Sequence, residues 1–208
     1  TYGDINTWDV SAITDFSELF QGKTFNSDIS DWDVSNGTNF KFMFTSSSFN
    51  NDIGGWDVSK GTNFWGMFAS SPFNQDIGDW DVGSGTTFIN MFYEASDFNQ
   101  DIGSWDIRKA TTLSGMFAEA SSFNQDIGSW NVGKVTDFTG MFQDAEKFNQ
   151  DIGSWDVSNG DGFSGMFEDA EKFNQDIGSW DVSNGKDFFN MFKGANSFNQ
   201  DISNWDVS

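Results

Sequence analysis

Apolar and polar positions recur along this chain in one fixed order. The block Phe-Asn-Gln-Asp-Ile-Gly-Ser-Trp returns from Phe98, Phe123, Phe148 and Phe173, with variants from Phe25, Phe49, Phe73 and Phe198. Trp8, Trp32, Trp56, Trp80, Trp105, Trp130, Trp155, Trp180 and Trp205 are spaced 24, 24, 24 and then 25 five times, and only Trp65 stands outside the register. One unit, Phe123 to Lys147, divides in two. Ile127, Trp130 and Val132 are spaced three then two, which predicts a short parallel strand around Trp130-Asn131-Val132, with residue 131 on the outer face. Phe138, Met141, Phe142 and Ala145 follow the i, i+3, i+4, i+7 pattern and predict a short α- or 3₁₀-helical segment, with Thr136 or Asp137 as its N-cap.

Neither half can bury its apolar face alone, but stacked copies can. The predicted fold is therefore a leucine-rich-repeat-like repeat solenoid, with one short parallel strand and one short α/3₁₀ segment per coil of 24–25 residues. It forms a single unit over 1–208 of about eight repeats, with an atypical first unit at 1–24 and an incomplete last unit at 198–208. In the first unit Thr1, Tyr2 and Gly3 replace Phe-Asn-Gln. The step from 24 to 25 lies in one segment: four residues separate Phe44 from Phe49, and five separate Phe92 from Phe98. The core is expected to hold Trp32, Trp56, Trp80, Trp105, Trp130, Trp155, Trp180 and Trp205.

The recurring Phe-Asn-x-Asp-Ile, Trp-Asp-Val-Ser and Met-Phe, in fixed register over essentially the whole chain, resemble the BspA-like, mycoplasma-lipoprotein-type surface repeat. That resemblance implies a leucine-rich-repeat-like solenoid on surface and secreted proteins, associated with adhesion, and it brings no catalytic residue to carry over. The chain departs from the pattern in two columns. Phe40, Phe64, Phe88, Phe138, Phe163 and Phe188 stand where that family has Met, and Gly37, Gly61, Gly85, Gly160 and Gly185 where it has Val.

Composition narrows the function. The 25 Phe and 10 Trp supply a core despite only 37% hydrophobic residues, since each large ring buries roughly 150–250 Å². A net charge of -22 disfavours nucleic acid and anionic lipid, and favours divalent cations or a basic partner. There is no Cys and no His, so disulfides and the commonest general base are absent. No run approaches the ~18 apolar residues of a membrane span.

Three polar columns recur. Asn26, Asn50, Asn74, Asn99, Asn124, Asn149, Asn174 and Asn199 are expected to satisfy a tight corner and bond along the stack. Asp28, Asp52, Asp76, Asp101, Asp126, Asp151, Asp176 and Asp201 fit Asx-type turns, with a cation ladder as the sharper alternative. The third column, Asp33, Asp57, Asp81, Asp106, Asp156 and Asp181, with Asn131 substituting once, puts like charges opposite one another on an exposed face. Calcium, a basic partner, or hydrogen bonds from flanking Ser and Thr would each account for it. Asn36-Gly37-Thr38 is a lone glycosylation sequon, and the Thr pairs at Thr86-Thr87 and Thr111-Thr112 are too irregular for a flat ice-binding array.

These readings favour a non-catalytic extracellular or cell-surface structural and adhesive protein. It carries no cofactor other than a candidate Ca²⁺, and its partner is itself, stacked end to end, or a surface or matrix protein. The alternative is an acidic module that uses its Asp ladders to bind Ca²⁺ or a basic partner.

Overall fold

The computed structural model describes residues 3–208, so Thr1 and Tyr2 of the atypical first unit lie outside the described residues. The one helical element among the described residues is a 3₁₀ turn, Ile5–Thr7, where the Asp4 carboxylate accepts the Asn6 N–H at 3.1 Å. The remaining backbone is turns and extended stretches, tied together copy by copy.

The ties fall in a different half of the unit from the one the apolar spacing predicts. Single parallel bridges run Asp15–Asn39–Asn63–Thr87–Thr112–Asp137–Gly162–Asp187, one per copy. Each lies just before the Phe or Leu that opens the second half, and none lies at Trp130-Asn131-Val132. That stretch nevertheless alternates, with Trp130 and Val132 buried and Asn131 exposed.

The predicted helical segment is instead a ribbon of overlapping turns. Along 138–145, alternate N–H groups go to two different places. Those of Phe138, Gly140, Phe142 and Asp144 donate forward to Gly162, Ser164, Met166 and Glu168 of the next copy at 2.8–2.9 Å. Those of Met141, Gln143 and Ala145 donate back three residues within the same copy at 3.1 Å. Gly140 and Asp144 have φ of 61° and 54°, the left-handed region that type II turns require and an α-helix cannot contain. Phe138, Met141, Phe142 and Ala145 are all buried, so the ribbon buries the same positions a helix would. Asp137 still opens the segment, its carboxylate accepting the Thr139 N–H at 3.0 Å.

The core is built of ring columns. Phe20, Phe44, Phe68, Phe92, Phe117, Phe142, Phe167 and Phe192 stack with centroids 5.6–5.9 Å apart and planes within 11°. Within each copy a second Phe lies flat on that ring, as Phe142 on Phe148 at 3.9 Å. The tryptophan column leans against it, with Phe142 and Trp155 6.4 Å apart at 30°. Trp32 to Trp180 in that column are buried, while Trp205 is only partly so.

From Trp32 to Trp205 each column indole also has a fixed acceptor. Trp56 Nε1 donates to Ile29 O, Trp130 Nε1 to Ile102 O and Trp180 Nε1 to Ile152 O, each at 3.1 Å and each in the preceding copy. The same Ile carbonyls accept the backbone N–H of their own copy's Trp, as Ile102 O does from Trp105 N at 3.1 Å. Both lone pairs of a buried carbonyl are thereby used.

The change from 24 to 25 residues has a chemical cause. In the shorter corner the Phe49 N–H donates to the Ser47 hydroxyl at 3.2 Å, and Ser47 is buried. In the longer corner the extra residue completes a turn, and the Phe98 N–H reaches the Ala95 carbonyl at 3.0 Å. At Phe49 and Phe73 a serine hydroxyl does the work of the main-chain oxygen of the longer corner, while in the first short corner the Phe25 N–H donates to the Lys23 carbonyl at 2.8 Å.

Candidate functional site

The candidate site is the polar surface formed by the repeating columns. In the asparagine column, the backbone N–H of each Asn donates to the side-chain oxygen of the Asn one copy earlier. The link runs Asn50 to Asn26, Asn74 to Asn50, Asn99 to Asn74, and on through Asn124, Asn149 and Asn174 to Asn199, at 2.8–3.0 Å. The following glutamines join in: Gln150 Nε2 donates to Asn124 O at 2.9 Å and to its Oδ1 at 3.0 Å. The repeated Gln in Phe-Asn-Gln-Asp was the available signal for this role.

Both aspartate columns are engaged in their own turns. Asp52, Asp76, Asp101, Asp126, Asp151 and Asp176 accept the N–H of the Gly two residues on at 2.9–3.0 Å. Asp28 and Asp201 accept from Ser30 and Ser203 at 2.9 Å. In the candidate metal column, Asp33, Asp57, Asp81, Asp106, Asp156 and Asp181 accept the N–H of residues 35, 59, 83, 108, 158 and 183 at 2.9–3.2 Å. Asn131 makes the same bond to Gly133 at 3.2 Å without a charge, so turn closure is common to every member of the column. Among the described residues no group of three or more Asp or Glu is placed to hold a metal ion. Arg108 pairs with Asp106 at 2.8 Å, both well exposed, a geometry that contributes little in water.

Hydrogen bonds to the charged form lower a carboxyl's pKa. The Asp33, Asp57 and Asp181 carboxyls sit below their ordinary value chiefly because the serine hydroxyl two residues on donates to them, aided by that serine's N–H. Neighbouring Asp57 and Asp9 push Asp33 the other way more weakly. A carboxyl depressed in the folded state contributes stability above its unfolded pKa, and that contribution is lost as pH falls through the folded value. Thermal melts followed by circular dichroism should therefore show the midpoint falling once the pH drops below about 4, although acid also relieves the repulsion along the columns. A midpoint that rises on acidification would mean that repulsion outweighs the turn bonds.

One further column escaped the spacing analysis. Thr38, Thr62, Thr86, Thr111 and Thr136 each donate Oγ1 to the carbonyl of the threonine one copy earlier, beginning at Thr14, at 3.1–3.4 Å. The two Thr pairs are places where this single file meets the bridge column at Thr87 and Thr112. Asn36, the sequon residue, is exposed, with Nδ2 bonded to Ser11 O at 2.9 Å and Oδ1 accepting from Lys60.

The turn ribbon carries a singular feature. Trp65, outside the tryptophan register, is partly exposed beside Phe42, with ring centroids 5.3 Å apart. The Lys41 ammonium lies 4.3 Å from the Trp65 ring centroid and 4.9 Å from that of Phe42.

No helix among the described residues is long and apolar enough to cross a membrane. No curated protein and no solved structure matches the chain. Three overlapping stretches, 1–87, 69–146 and 125–208, match the family described as Mycoplasma protein of unknown function, DUF285. Together these stretches span the whole sequence in tandem, and the chain belongs to that repeat family.

Proposed function

We propose that the chain is a leucine-rich-repeat-like solenoid of the BspA-like surface type, acting as a non-catalytic structural and adhesive element outside the cell or on its surface. In this reading residues 1–208 form one unit of about eight coils, which associates end to end with further copies. One observation carries it: every repeated polar group described above is committed to the neighbouring copy or to its own turn, and the same bonds recur at boundary after boundary. An array of this kind gives shape and length and dedicates no side chain to a reaction. End-to-end contact is supported by this recurrence, since the bonds that join one copy to the next are the same set at successive boundaries and a further copy offers that set again.

Sedimentation of the purified chain over a range of concentrations tests this. Species growing with concentration are expected, and Trp205→Glu should suppress them. A chain that stays monomeric at every concentration refutes the end-to-end contact. The acidic binding module stands as the second reading, favoured by the two exposed aspartate rows and the net charge of -22.

A further inference from the structure

The outer face of the turn ribbon varies more than the rest, with Ser17-Glu18 in the first copy and the exposed Phe189 beside Asn190 in the last. In three later copies the two positions after the first buried residue of the ribbon hold Ser114-Gly115, Thr139-Gly140 and Ser164-Gly165, with Ser114, Thr139 and Ser164 at least partly exposed and the glycines buried. In earlier copies the same positions hold Lys41-Phe42, Trp65-Gly66 and Ile89-Asn90, all partly exposed except Gly66. Small residues suffice there for the fold, so the large ones serve something else.

Two details show that they are kept at a cost. Phe42 has φ of 55° where Gly115, Gly140 and Gly165 have 60–61°; a bulky side chain in the left-handed region is strained, and such strain gathers at functional positions. The buried indole N–H of Trp65 has no hydrogen-bond partner, whereas the column tryptophans from Trp32 to Trp205 each donate to an Ile carbonyl. A side chain that helped only stability would not be left so.

What the cluster can hold is shown by what it does hold, an ammonium group over both rings. Aromatic faces attract cations. Beginning one copy beyond Trp65, the same ribbon presents Glu94, Glu119, Asp144 and Asp169 at one equivalent position in four successive copies. We propose that Phe42, Trp65 and Ile89 form the anchor of a docking surface for an extended basic protein segment, whose first Lys or Arg takes the place of Lys41 on the rings and whose later ones pair with Glu94, Glu119, Asp144 and Asp169. Successive coils are about 4.8 Å apart, within reach of neighbouring side chains of an extended peptide. Lys41 is the chain's own occupant of the rings, while Glu94 and Glu119 accept from the Ser70 and Tyr93 hydroxyls, neutral donors that a cation displaces. This rests on the binding reading and not on end-to-end contact.

Isothermal calorimetry with oligo-arginine, at about 0.15 M salt where unfocused charge attraction is screened, tests the surface. The variant Phe42→Gly/Trp65→Ser/Ile89→Thr carries the residues of the later copies and retains the fold, as its melt will show. It should bind about five- to tenfold more weakly than the native chain. Lys41→Ser, which removes the internal competitor, should bind about two- to threefold more tightly. Equal affinity for all three proteins overturns the anchor while leaving a generic acidic binder. No binding to any of them overturns both.

Discussion

Phe142→Ala should lower the unfolding free energy by about 3–5 kcal/mol, the usual range for emptying a fully buried ring site. Phe142 is 0% exposed and touches rings on every side: Phe117 at 5.9 Å, Phe167 at 5.7 Å, Phe148 at 3.9 Å and Trp155 at 6.4 Å. Its neighbours are held by their own hydrogen bonds to adjacent copies and cannot collapse into the void, so the cost should lie high in that range. The same change at Phe192, which is only partly buried, should cost markedly less. Urea unfolding of both variants measures the difference; equal losses would mean that ring columns do not carry the stability.

Gly160→Val is the second large effect, an expected loss of about 1–3 kcal/mol through overpacking. A Cβ on Gly160 would lie 2.5 Å from Phe163 Cζ and 3.0 Å from the Val157 carbonyl. The Phe163 ring cannot withdraw, being stacked on Phe138 at 5.5 Å and Phe188 at 5.3 Å. The chain itself shows the compensation. Val135 occupies the equivalent position one copy earlier, where Phe138 has Leu113 and not a ring on its other side, and Ala110 accompanies Leu113. Adding Phe163→Leu to Gly160→Val removes the ring carbon that the new Cβ would meet and should restore much of the loss. A double variant no more stable than the single one would refute the steric account.

This pairing explains two departures that looked unrelated in the sequence. Glycine in the column of Gly37, Gly61, Gly85, Gly160 and Gly185 makes room for the ring three residues later, as at Gly61, where a Cβ would lie 2.4 Å from Phe64 Cζ. Sequence showed both columns but not that they meet.

The period was legible because identical residues recur at fixed intervals, and the tandem family match follows that period. The internal structure of a copy was less so. Phe138, Met141, Phe142 and Ala145 have helical spacing, yet overlapping turns bury the same set, and apolar periodicity cannot distinguish the two. Gly140, Gly165 and the acidic residue four positions after each were the clue, since regular left-handed positions favour Gly and Asp. The pairing site was displaced because Trp130 and Val132 alternate as a strand does while their backbones form no bridges. In the polar columns the Asn and Asp turns follow from residue chemistry. The donors from Gln150 and Thr136 and the acceptor at Ile102 depend on which copy lies beside which, and a linear pattern does not display that. Trp65 stood out by its register, but its cation partner became visible only with Lys41 and Phe42 placed beside it.

The hydrogen bonds between copies also run in a fixed sense. At the Asn and Trp columns each copy offers oxygen forward and receives N–H from its successor, while along the turn ribbon it offers N–H forward and receives on oxygen. One face of a copy is therefore the negative image of its other face, column by column. Continuing the same columns from one molecule to the next requires a head-to-tail contact, since a twofold axis would set each column against a different one. Any growth through these surfaces is vectorial, each added unit inheriting the orientation of the last.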